Sequence, residues 1–133
     1  MKISFADTFF YVALLDVRDQ HHERVNAHLR EHDDFHVTTR WVLVELANAL
    51  AGTAFRLAAA RLISRLESDA DTMVVKSNDE LYERGLKLYI ERPDKDWSLT
   101  DCISILVMQE HQITEALTRD RHFEQAGFRP VFA

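Results

Sequence analysis

An α/β fold with a largely parallel sheet is what this sequence predicts, on three observations. Short apolar runs alternate with helical segments from one end of the chain to the other. Its 133 residues, 47% of them hydrophobic, suit one domain with a sizeable core. No repeat, linker or low-complexity stretch interrupts it, so a single domain over residues 1–133 is expected.

The elements follow in order. "KISFA" (2–6) has the apolar continuity of a buried strand and ends at Asp7-Thr8, after which "FFYVALL" (9–15) continues as a helix. "QHHERVNAHLREHD" (20–33) is a polar helix with Val25 and Leu29 at helical spacing. "FHVTT" (35–39) is a second strand, and the helix holding "WVLVELANAL" (41–50) follows it and stops near Gly52. "TAFRLAAARLISRLES" (53–68) is amphipathic, with Leu57, Leu62 and Leu66 assigned inward. "TMVVK" (72–76) is a third strand, and "NDELYERGLKLYIE" (78–91) a helix ended by Pro93. After the loop "DKDW", the segment "SLTDCISILVMQEH" (98–111) is a helix with Ser98 as N-cap. "ITEALT" (113–118) is a fourth strand, "RHFEQAG" (121–127) a short helix closed by Gly127, and "RPVFA" (129–133) a final strand.

Composition excludes some functions. Twenty-two acids against sixteen Lys and Arg leave a net charge of −6, which argues against a nucleic-acid binder driven by charge alone. An enzyme whose acids hold cations remains open. The single cysteine, Cys102, precludes an intramolecular disulfide and reads as a small buried hydrophobe. "MKISFAD" meets an acid too early for a secretory leader, and no apolar run approaches membrane-spanning length. A cytoplasmic protein without a membrane partner is expected.

Glu45 is the residue that composition explains least. Eight of the ten residues in "WVLVELANAL" are apolar, and only Asn48, on the same helical face, is polar besides it. A carboxylate on a helix so apolar is costly unless paired, protonated or bound to a metal. Three further acids fall at informative places: Asp7 at the end of the first strand, Asp101 in the first turn before the fourth, and Asp120 just past it. Ligand sites in open parallel sheets form outside the carboxyl ends of the strands, where the strand order reverses. Asp7 and Asp120 share such a crevice if the first and fourth strands are neighbours.

Each aspartate also has a structural explanation. Asp7 and Asp120 are placed to cap the helices that follow them, and Asp101 stands at N3 of a capping-box variant with Ser98. Together they are harder to explain away. Carboxylates about 4 Å apart repel by roughly 4 kcal/mol at an effective dielectric of 20, which hard divalent cations relieve. Such a cluster suits metal-assisted phosphodiester hydrolysis and needs no Ser, Cys or Lys nucleophile.

"SFADTFF", "VELANAL", "DWSLTDCIS" and "ALTRDRHFEQAGF", in this order and spacing, resemble the PIN-domain ribonucleases found as VapC-like toxins of bacterial toxin–antitoxin pairs. The resemblance covers essentially the whole chain. It implies a PIN-like parallel sheet of about five strands, order 3-2-1-4-5, flanked by helices. It also implies Mg2+, with Mn2+ able to substitute, an RNA substrate, and products with 5′-phosphate and 3′-hydroxyl ends. Asp7, Glu45, Asp101 and Asp120 match the family's metal-site acids. Thr8 and Thr118 match hydroxyls that orient acids or water, Asn48 is a candidate partner of Glu45, and Asp96 a candidate helper. A small antitoxin would cover the crevice. Family habit and the apolar face of 53–68 point to a homodimer, although that face reads equally as core.

Arg40, Arg119 and Arg121 flank the acids in sequence and are the candidate phosphate contacts, each also explicable as a solvated surface arginine. His28 and His32 share a face at i,i+4, where a solvated role is favoured over zinc, and His122 is assigned packing or capping rather than catalysis. A receiver domain or phosphatase is disfavoured because no lysine ends the fourth or fifth strand. The alternative to an endoribonuclease is a catalytically inactive PIN-like module that docks a protein or RNA.

Overall fold

A computed structural model describes residues 1–133. The elements run β1 (Ile3–Ala6), α1 (Thr8–Leu15), α2 (His22–Glu31), β2 (Phe35–Thr39), α3 (Arg40–Leu50), α4 (Arg56–Leu66), β3 (Thr72–Val75), α5 (Asp79–Glu91), α6 (Leu99–Glu110), β4 (Glu115–Leu117), α7 (Arg121–Gln125) and β5 (Arg129–Pro130). All strand pairs are parallel and the sheet order is β3-β2-β1-β4-β5. The α/β class and the 3-2-1-4-5 order are therefore as expected. No helix is long and apolar enough to cross a membrane.

Local chemistry sets the strand-to-helix joints. Thr39 ends β2 and accepts a hydrogen bond from the Val42 amide at 3.2 Å, which caps α3. Asn78 caps α5 through the Leu81 amide at 2.8 Å. Ser98 and Asp101 form a reciprocal capping box at the start of α6. In a parallel α/β fold the helices that follow strands begin at the carboxyl edge of the sheet, so their positive dipole ends gather there.

The central strand is buried, as its position between β2 and β4 requires, and Phe5 and Ala6 are inaccessible to solvent. Around them one continuous core joins Phe10 and Tyr11 of α1, Leu46 of α3, Ile103 and Val107 of α6, and Phe123 of α7. A smaller cluster of Trp97, Cys102 and Ile105 packs the start of α6, and Cys102 is buried as expected. The Trp97 indole donates to Gln125 Oε1 at 3.1 Å and lies under the Arg92 guanidinium, tying the loop before α6 to α7.

Two expectations about faces fail, for Leu57 and for the helix of Glu45. Leu57 is 59% exposed, whereas Leu62 and Leu66 are buried. Leu57 is five residues before Leu62, well off its helical face, and Ala59 takes the inward position instead. Leu29 is exposed one turn from the buried Val25, because α2 contributes only a thin seam. The helix of Glu45 has a solvated side after all, with Val44 58% exposed and Ala47, Asn48 and Ala49 open beside it. Its apolar composition overstated its burial. The strands β4 and β5 are also shorter than the apolar runs that predicted them.

Gly85 of α5 is buried against α6, where an added Cβ would clash with Ile103 Cγ1. Gly85→Ala is expected to destabilise the protein by about 1–3 kcal/mol through overpacking, outweighing the roughly 1 kcal/mol that Ala gains in helix propensity. Urea unfolding checks this; a midpoint at or above wild type would mean that Ile103 moves aside without cost.

Candidate metal centre

The strand order makes the site. Ala6 of β1 pairs with Leu117 of β4, so the next residues, Asp7 and Thr118, leave the sheet side by side at the point where strand order reverses. The Thr118 hydroxyl donates to Asp7 Oδ2 at 3.0 Å and accepts from the Asp120 amide at 3.1 Å. One hydroxyl thus links the ends of β1 and β4. Thr8, the first residue of α1, donates to Glu45 Oε1 at 2.6 Å and turns that side chain of α3 toward the same place.

Asp101 arrives from the N-terminus of α6. Its Oδ2 accepts from the Ser98 amide at 3.0 Å while its own amide donates to Ser98 Oγ at 3.0 Å. That oxygen also lies 2.8 Å from His122 Nδ1, and Asp120 Oδ2 lies 3.1 Å from the same nitrogen. Asp120 caps α7 through the His122 amide at 2.9 Å. Capping and membership of the cluster are therefore compatible for Asp101 and Asp120. Asp7 differs: its side chain makes no helix-capping bond.

These residues line one crevice of about 880 Å³, shared by Asp7, Thr8, Glu45, Asp101, Thr118, Asp120, Arg119, Arg121 and His122. Asp7 is the buried member, 8% exposed. Burial pushes its carboxyl up from an ordinary 3.8 to about 7, with the Asp101 and Glu45 carboxylates adding to the rise. Hydrogen bonds from the Thr8 amide and the Thr118 hydroxyl oppose it only in part. A carboxylate so placed gains from a nearby cation.

Donor chemistry fits a divalent metal. Asp101, Asp120 and His122 each offer one ligand atom, all within 4.8 Å of one another. Asp7 and Glu45 supply further carboxylates to the same crevice. Arg119 and Arg121 bring positive charge to its lining.

Other expected members stay away. Asn48 is exposed, makes no hydrogen bond to Glu45, and faces a separate groove with Ala47 and Ala51; the Thr8 hydroxyl takes the place beside Glu45 instead. Asp96 is exposed and borders a different hollow beside Tyr89 and Arg92. Arg40 is drawn out of reach by a 3.0 Å ion pair with Glu67 and does not line the crevice.

His122 is the residue the sequence undervalued. Its position two after Asp120 was visible, but nothing local showed that Asp101 would stand opposite. His28 and His32 stack at 4.0 Å between ring centroids, with His28 tucked against Phe132 rather than solvated.

The PIN domain family model matches residues 4–129. This chain belongs to the PIN-domain family. No curated protein matches it by sequence. Among solved structures, the PIN domain is similar to VapC20 of Mycobacterium tuberculosis, a sarcin–ricin loop cleaving toxin, with a TM-score of 0.87 and 24% identity over 98% of each chain. It is also similar to FitAcB of Neisseria gonorrhoeae, with a TM-score of 0.63 and 20% identity over 98% of this chain and 96% of that one. At these identities the likeness is one of fold, and the chemistry rests on the crevice of this PIN domain itself.

Proposed function

We propose that this PIN domain is a metal-dependent endoribonuclease, the toxin of a toxin–antitoxin pair. The observation that carries the reading is the convergence of Asp7, Glu45, Asp101 and Asp120 on one crevice at the switch point of the sheet. These four carboxylates would hold the metal. When bound, Mg2+ or Mn2+ supplies an activated water and charge stabilisation at the leaving oxygen.

The chain's own residues do the rest. Thr118 fixes the rotamer of Asp7, Thr8 that of Glu45, and the Ser98 amide that of Asp101, so the carboxylates are aimed before any ligand arrives. Arg119 and Arg121 contact the RNA backbone, where their positive charge offsets the repulsion between phosphates and acids. Cleavage leaves 5′-phosphate and 3′-hydroxyl ends. A small antitoxin covers the crevice, and the exposed Val44 and Leu57 supply apolar surface to a protein contact, a homodimer included. A cytoplasmic location goes with that substrate.

Purified protein incubated with a cellular RNA pool, and with a sarcin–ricin loop oligonucleotide, tests the reading. Cuts with 5′-phosphate ends are expected in Mg2+ or Mn2+, and none in EDTA. Intact RNA in every ion, together with no Mn2+ binding by calorimetry, would leave the non-enzymatic docking module instead.

A further inference from the structure

We propose that His122 is a metal ligand, and that its nitrogen makes the Asp101–Asp120 side of the crevice prefer transition ions such as Mn2+ and Co2+ over Mg2+. The inference rests on the metal-dependent reading above and adds to it a fifth residue and an ion preference.

Three observations carry it. First, His122 Nδ1 lies 2.8 Å from Asp101 Oδ2 and 3.1 Å from Asp120 Oδ2, and each of the three residues can place one donor atom within 4.8 Å of the others. A neutral imidazole nitrogen carries at most one hydrogen, which two carboxylates can only share. The two carboxylates therefore compete for it, whereas a cation accepts a lone pair from all three. Second, the backbone that carries the ring is held in place. The His122 amide donates to Asp120 Oδ1, the neighbouring Phe123 is wholly buried, and the Phe128 amide returns to the Phe123 carbonyl at 2.9 Å. The imidazole thus projects from a fixed turn whose backbone also holds Asp120. Third, Asp101 comes from a different element, and its Oδ2 is oriented by the Ser98 amide. Asp101 is oriented by Ser98 and Asp120 by the His122 backbone amide, so the two carboxylates converge on the imidazole nitrogen without relying on the His122 side chain for their position.

The ion preference follows from ligand chemistry. Mg2+ favours oxygen donors and keeps much of its water, while imidazole suits the transition ions, whose affinities rise from Mn2+ to Co2+. Asp7 and Glu45 offer oxygen alone, so selectivity resides at the histidine.

Calorimetric titration of Mg2+, Mn2+ and Co2+ into wild type, His122→Ala, His122→Gln and Asp101→Asn tests this, with the visible spectrum of bound Co2+ as a second readout. Both His122 variants are expected to lose about tenfold or more in Co2+ affinity, with less loss for Mn2+ and almost none for Mg2+. The Co2+ spectrum should change with the loss of the nitrogen, and thermal melting should show both variants folded. Equal losses for all three ions would overturn the ligand assignment and leave His122 a positioning residue for the acids. Variants that bind every ion as wild type does, while Asp101→Asn does not, would overturn the assignment but spare the metal centre. Wild type that binds no ion, or an Asp101→Asn protein that binds all of them normally, would overturn the metal centre itself.

Discussion

Asp7→Asn is expected to stabilise the metal-free protein above pH 7 while removing cleavage. Burial raises the folded-state pKa of Asp7 from 3.8 to about 7, so the folded protein holds this proton more tightly than the unfolded chain does. Its favourable contribution is complete below the unfolded pKa and is lost as pH rises through about 7. Wild type measured in EDTA should therefore lose stability between about pH 4 and pH 7, by an amount of order a few kcal/mol. The asparagine variant should lack that slope, because an amide keeps the acceptor for the Thr118 hydroxyl and carries no charge. Chemical unfolding at pH 4 and pH 8 checks it. Parallel pH profiles for the two proteins would show that Asp7 does not ionise against its surroundings.

Asp101→Asn should behave differently. Cleavage is expected to fall by roughly a hundredfold or more, since the substitution removes charge from a carboxylate that faces both His122 and Asp120. Stability should change by less than about 1 kcal/mol, because an asparagine oxygen still accepts from the Ser98 amide and preserves the capping box. The comparison separates the two roles of this residue. Large unfolding with residual cleavage would mean that Asp101 serves α6 rather than the chemistry; loss of cleavage at unchanged stability would place it in the site. Paired with Asp7→Asn, it asks whether an acid raised by burial and an acid that also caps a helix contribute to one activity through different energetic routes.

How much of this was legible before the fold was known depended on the range of the interaction. Ser98 and Asp101 are three residues apart, and their capping box could be read directly. So could the cap by Asp120 and the strand-to-helix joint at Thr39. The four acids stood out by their places at strand ends and on helices, and the resemblance added the sheet order and their match to a metal site. Contacts across the sheet were beyond reach. Asn48 looked like the partner of Glu45 because it is one turn away, yet Thr8, 37 residues distant, makes that bond. Arg40 follows β2 directly, but its charge is spent on Glu67, 27 residues on.

Local pattern alone determined which segments became strands and helices, since backbone preference, capping and apolar periodicity act over a few residues. The sequence determined in the same way that acids would stand at strand ends and helix starts. Only the tertiary structure decided which of them meet. Parallel pairing of β1 with β4 sets Asp7 beside Thr118, and the packing of α6 against α7 sets Asp101 beside His122. Those juxtapositions follow from hydrophobic burial over the whole chain, which is non-directional and indifferent to the polar groups it carries along. A site assembled by that force is written in no single stretch of sequence.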